Sequence, residues 1–197
     1  MSISASEVKK LRDITGAGMM DCKNALKETG GDIDKAVEYL RKKGIASAAK
    51  RSGRDVNEGI IMSYIHPGSR LGVLVEVNCE TDFVAKTDDF QALAKDIAMQ
   101  IAASSPIAVS REEIPQDLID KEMDIFRTQA KEEGKPEQVI EKIVQGKIDK
   151  YYQETALMEQ SFVKDPDKTI QEYLMEVSGK LGENMSVRRF IRYQIGE

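Results

Sequence analysis

Gly59-Ile60-Ile61-Met62-Ser63-Tyr64-Ile65-His66 and Leu71-Gly72-Val73-Leu74-Val75-Glu76-Val77-Asn78, separated by Pro67-Gly68-Ser69-Arg70, decide the fold class. Both runs are apolar and rich in β-branched residues, and the break between them holds strong turn formers, so the spacing predicts a β-hairpin. His66, the one histidine, precedes Pro67-Gly68 and reads as a turn residue. Ile60, Ile61, Val73, Leu74 and Val75 in succession leave neither face polar. The sheet therefore needs cover on both sides, and a second copy of the chain is the economical cover for one of them.

Upstream of the hairpin the period is helical. Ser4 and Glu7 form a capping-box pair ahead of Val8, Leu11 and Ile14, and Gly16-Ala17-Gly18 breaks that helix. Met19 and Met20 open a second helix with Cys22, Ala25 and Leu26 inward, stopped by Thr29-Gly30-Gly31. Asp32 caps a third, whose apolar set is Ile33, Ala36, Val37 and Leu40, and Lys42-Lys43-Gly44 reads as its end. From Ile45 to Glu58 the chain is small, basic and polar, the composition of a linker. Downstream, Phe90, Leu93, Ala94, Ile97, Ala98 and Ile101 form one helical stripe. Two more helices follow, from about Pro115 to Glu133 and after Gly134-Lys135-Pro136, positioned to pair antiparallel. Asp165-Pro166 reads as a break before a helix around Thr169 to Lys180, and Ser186 to Ile195 as a last strand. The expected architecture is α+β: residues 1–52 are a three-helix bundle plus the start of the linker. Residues 53–197 are an α+β core and dimerisation domain, a three-stranded antiparallel sheet packed with helices.

Composition narrows the function. The 197 residues are 41% hydrophobic and 32% charged, with a net charge of -5 whose signs are interleaved. That argues against nucleic acid as the partner. No window approaches the roughly 18–20 apolar residues of a membrane helix, and MSISASEVKKLRD lacks an apolar signal core, so no membrane partner is expected. Cys22 and Cys79 stand far apart without a CxxC pattern, which fits a reducing, cytoplasmic compartment. No GxxxxGK run precedes a helix, and Gly16-Ala17-Gly18 follows a helix rather than a strand, so neither direct nucleotide binding nor a cofactor is expected. Glu76, Glu80, Asp82, Asp88 and Asp89 could be imagined as a metal site or an acid/base pair. Strand and helix-cap positions account for them without chemistry, and no enzyme is expected.

Asn78-Cys79-Glu80-Thr81-Asp82-Phe83-Val84-Ala85-Lys86 is harder to explain as a plain connection. It sets Phe83 and Val84 among polar residues. An exposed aromatic there is a contact residue, a buried one a plug beneath the loop, and composition leaves both open. Met19 and Met20 point about 100° apart on a helix, so one is expected to pack inward and the other to be presented.

Together with Leu11-Arg12-Asp13-Ile14-Thr15-Gly16-Ala17-Gly18-Met19-Met20-Asp21-Cys22-Lys23-Asn24-Ala25-Leu26 and Gly182-Glu183-Asn184-Met185-Ser186-Val187-Arg188-Arg189-Phe190, the segment from Glu76 to Lys86 resembles the elongation factor Ts family of bacteria and organelles. Gly30-Gly31-Asp32-Ile33 to Leu40 is also similar to the third helix of a ubiquitin-associated-type bundle. The resemblance implies a guanine-nucleotide exchange factor for elongation factor Tu in its GDP form, acting in the cytoplasm, or in an organellar stroma or matrix if the source is organellar. By the family pattern Asp82 and Phe83 are the exchange wedge, and Arg12, Met19, Met20, Thr81 and Val84 bind the partner. In length the chain resembles the short, single-core form, which implies a homodimer. A helical-bundle adaptor, gripping partner helices through residues 1–44 without exchange activity, is the alternative. A metal-dependent enzyme using Glu76, Glu80 and Asp82 is a third reading.

Overall fold

The computed structural model describes residues 3–196. In chain order they form α1 (Ala5–Thr15), α2 (Met19–Glu28), α3 (Ile33–Arg51), β1 (Glu58–Ile65), β2 (Leu71–Cys79), α4 (Asp82–Ala85) and α5 (Asp88–Ser104). Then come α6 (Gln116–Glu132), α7 (Glu137–Thr155), β3 (Ser161–Phe162), β4 (Asp165–Thr169), α8 (Ile170–Leu181) and β5 (Met185–Gln194). Strands β1, β2 and β5 make an antiparallel sheet in that order, so the class is α+β as the sequence predicts. The chain divides into two compact units. The first holds the described residues up to Ile60 with Val77–Leu93 and Glu172–Ser186; the second holds Ile61–Glu76, Ala94–Gln171 and the described residues from Val187.

In the first unit the capping box forms as its residues dictate: Glu7 N donates to Ser4 Oγ at 3.2 Å and Ser4 N to Glu7 Oε2 at 2.8 Å. Gly16, at φ 66°, takes the left-handed conformation that ends α1. Val8, Leu11, Cys22, Ala25, Leu26 and Ala36 close the three-helix core.

The third helix corrects the linker expectation. Gly44 does not stop α3, which runs on to Arg51 through half of the segment read as linker. Ala46, Ala48 and Ala49 are strong helix formers, and Gly44 serves packing rather than termination. It faces Gly179 on α8, where an added Cβ would lie 2.8 Å from the Gly44 backbone. A glycine inside a helix costs about 0.5–1 kcal/mol against alanine. Here it admits a close helix crossing, and Arg51 Nη2, donating to Ser178 O at 3.1 Å, extends the contact.

In the second unit α6 and α7 form the expected antiparallel pair, turned by Gly134 at φ 69°. Ile119, Ala130, Ile140, Val144 and Ile148 fill the seam with Ala108, Ile114 and Ala156. The break expected at Asp165-Pro166 is instead the start of β4, paired antiparallel with β3. A buried glutamine explains that ribbon. Gln100 Oε1 accepts from Val163 N at 2.9 Å, and its Nε2 donates to Ser161 O at 3.2 Å and to Gln160 Oε1 at 3.1 Å.

The sheet residues of this unit have one apolar face open. Val73 and Val75 turn inward, while Ile61, Ile65, Leu74, Ile191 and Tyr193 are exposed. A Cβ on Gly72 would lie 3.0 Å from Ile65 Cδ1, and Arg189 Nε pairs with Glu76 Oε2 at 2.8 Å. Those two contacts and the two-residue strand period put all five exposed residues on one face. Ile65, Leu74, Tyr193 and Ile195 line a hollow of about 550 Å³ there.

Candidate functional site

The segment after β2 is anchored residue by residue before it reaches Phe83. Cys79 is buried and donates its Sγ to Thr81 O at 3.1 Å. Burial, with the Glu183 carboxylate as a second cause, pushes the Cys79 thiol up to about 11. Thr81 caps α4, its Oγ1 accepting from Val84 N at 3.4 Å. Ala85 is buried beneath the turn, and Gln91 Nε2 donates to its carbonyl at 2.7 Å. Asp82, in the first turn, takes Lys86 Nζ at 2.6 Å.

Phe83 is left 79% exposed. The core-plug alternative is thereby overturned. The buried aromatic of this region is Phe90, at 0% exposure. The ring is held outward on the one-turn helix α4 and adds little to the core. Val84 is half-buried at its side.

The other predicted residues form a second group, at the corner of α1 and α2. Arg12 is exposed in the last turn of α1, and Met19 and Met20 open α2 at 46% and 65% exposure. Both methionines face outward, where one was expected to be buried. The small bundle core is already closed by Leu11, Cys22, Ala25 and Leu26 and admits neither.

Glu76, Glu80 and Asp82, considered for a metal site, are engaged elsewhere. Glu76 pairs with Arg189, Asp82 with Lys86, and Glu80 Oε1 accepts Asn184 N at 2.6 Å. That hydrogen bond, then Arg54, holds the Glu80 carboxyl below the usual carboxylate range. Among the described residues, no three or more His, Cys, Asp or Glu side chains converge as a group that could hold a metal ion. Among the same residues, no helix is long and apolar enough to cross a membrane.

Sequence reasoning missed Glu183 and Asn184. Their available signal was position: an acid and an amide directly after the helix-stop glycine Gly182, which sits at φ 79°. Glu183 Oε2 accepts from Glu80 N at 3.1 Å and Thr81 N at 3.0 Å, and Glu183 Oε1 accepts from Thr81 Oγ1 at 2.6 Å.

The family described as "Elongation factor TS" matches residues 5–197. The elongation factor Ts of Geobacter sulfurreducens is 61% identical over 197 residues, covering 100% of this chain and 91% of that protein. That of Desulforamulus reducens is 61% identical over 195 residues, covering 99% and 90%, and that of Moorella thermoacetica 58% over 195 residues, covering 99% and 96%.

Proposed function

The chain belongs to the elongation factor Ts family of translation elongation factors, and on that premise we propose that it is a guanine-nucleotide exchange factor for elongation factor Tu. It binds the GDP form, loosens the nucleotide and leaves once GTP enters. No covalent bond is made or broken, so it is not an enzyme in the chemical sense. Because coupling between two sites is reciprocal, factor and GDP weaken each other's hold equally. A coupling of about 2.8 kcal/mol corresponds to roughly a hundredfold.

The observation that carries this reading is Phe83, exposed on a backbone anchored on every side. A rigid aromatic inserts a large area at low entropy cost. Wedged between side chains of the partner's nucleotide-binding domain, Phe83 with Asp82 displaces the surroundings of the phosphate-bound Mg²⁺, an ion that demands near-ideal octahedral geometry. Thr81 shapes the wedge and Val84 borders it. Arg12, Met19 and Met20 make the second contact. Labour divides accordingly between residues 1–52, which grip, and residues 53–197, which carry the wedge.

The open sheet face supports a homodimer in the cytoplasm, a second copy covering Ile61, Ile65, Leu74, Ile191 and Tyr193. Release of fluorescent GDP from purified elongation factor Tu, with and without this protein, tests the function. An unchanged release rate overturns it and leaves the adaptor.

A further inference from the structure

Glu183 stands just past the C-terminus of α8, where the helix dipole disfavours a carboxylate. An acid in that place needs compensation, and it takes all of it from the wedge segment: the amides of Glu80 and Thr81 and the Thr81 hydroxyl. The Thr81 oxygen that donates to Glu183 is the one that accepts from Val84 N and caps α4. One hydroxyl therefore links Glu183 to the turn bearing Phe83. The link runs both ways, because the Glu80 carboxylate accepts Asn184 N at 2.6 Å. Each of two neighbouring pairs in sequence, Glu80-Thr81 and Glu183-Asn184, thus has a carboxylate bound to the other's backbone.

The far side of this clamp is itself fixed. Ser178 Oγ donates to the Glu183 carbonyl, and Asn184 Nδ2 donates to Arg54 O at 2.8 Å and Ser52 O at 3.3 Å. Gly182, in the left-handed region, turns the chain so that Glu183 follows directly on α8. A short helix such as α4 has little stability of its own, so its orientation is set by what holds its first residues.

We infer that Glu183 is a positioning residue for nucleotide exchange: through the Glu80 and Thr81 amides and the Thr81 hydroxyl it fixes the turn that presents Asp82 and Phe83. This rests on the wedge reading above. Its carboxylate is taken up by Glu80 and Thr81, so it acts through the turn that carries Asp82 and Phe83.

Two measurements on the full chain test it. The first is amide hydrogen exchange at Glu80, Thr81 and Val84 in Glu183→Ala and Glu183→Gln, with melting temperatures. Glu183→Ala should raise exchange at these amides at least tenfold, and Glu183→Gln, which keeps a carbonyl acceptor, by less. Unchanged protection in Glu183→Ala overturns the clamp. The second is GDP release from elongation factor Tu at saturating factor, in a wild-type and a Phe83→Ala background. If Glu183 works through the wedge, Glu183→Ala slows release about tenfold in the first background and by much less in the second, where only Asp82 is left to be positioned. Glu183→Gln should recover most of the rate. An equal loss in both backgrounds overturns the positioning role and makes Glu183 merely structural. Phe83→Ala with full exchange overturns the wedge reading instead, and the positioning role with it.

Discussion

Two exposed apolar regions of this chain are built in opposite ways. Phe83 is one side chain on a one-turn helix, surrounded by hydrogen bonds that fix its backbone. The open sheet face is a row of side chains, Ile61, Ile65, Leu74, Ile191 and Tyr193, displayed by strands whose ladder would hold them whatever covered them. A single anchored ring supplies direction, because its action depends on where it points. A row supplies area, and the proposed contact with a second copy would use that area without asking much of any one residue. Exposure alone does not say which kind a residue belongs to; its support does.

The largest consequence is expected at the tip. Phe83→Ala should slow stimulated GDP release about a hundredfold, matching a coupling of about 2.8 kcal/mol. Because the ring is exposed, the melting temperature should stay near wild type, and the mass in solution should not change. A collapsed melting temperature would mean that the ring carries fold stability after all. The face should give the converse. Ile61→Glu with Leu74→Glu places like charges on a surface proposed to be covered by its own copy, and light scattering should then fall from twice the 22.0 kDa chain mass to that mass. Per-chain wedge geometry should survive, as read by amide protection at Thr81. A wild-type protein already at 22.0 kDa at micromolar concentration would remove the dimer.

A smaller effect belongs to the α1–α2 corner. Met20→Ala should weaken binding to elongation factor Tu by roughly three- to tenfold, a contact near 1 kcal/mol, and leave the release rate at saturation unchanged. A lowered saturating rate would move Met20 into the wedge itself.

The smallest effects are in pH. The Glu80 pKa is lowered, so its contribution is present above the ordinary carboxylate range and lost as pH falls through the folded value. Protection of the Asn184 amide should persist at pH 5 and fade in stronger acid. The Cys79 pKa is raised to about 11, so its contribution is present below the unfolded thiol value and lost as pH climbs toward 11. At pH 9 iodoacetamide should label Cys79 slowly in the native chain and rapidly in urea. Equal labelling would show the thiol to be accessible.

Most of the fold was legible because most of it is local. Periodicity found the three-helix bundle, the β1–β2 hairpin and the α6–α7 pair, whose cores lie among residues close in sequence. The misses are places where a distant residue decides. Gly44 reads as a stop until Gly179 is laid across it, and Asp165-Pro166 reads as a break until Gln100 takes up the ribbon at Val163. Phe83 stands out as a candidate in the sequence, but its exposure does not, since whether a ring is buried depends on how the rest of the chain packs around it. Glu183 was least legible of all. Its partners lie 102 and 103 positions earlier, and nothing beside it in the chain points to them.

The Gly44–Gly179 crossing bears on timing as well as shape. A bundle on a free linker could let go of its partner while the wedge held on, and rebind many times before the complex parted. With α3 locked backbone to backbone against α8 in the unit that also carries Phe83, the proposed grip and the proposed wedge belong to one body. In the proposed complex with elongation factor Tu the two contacts would then part as one concerted event rather than one after the other.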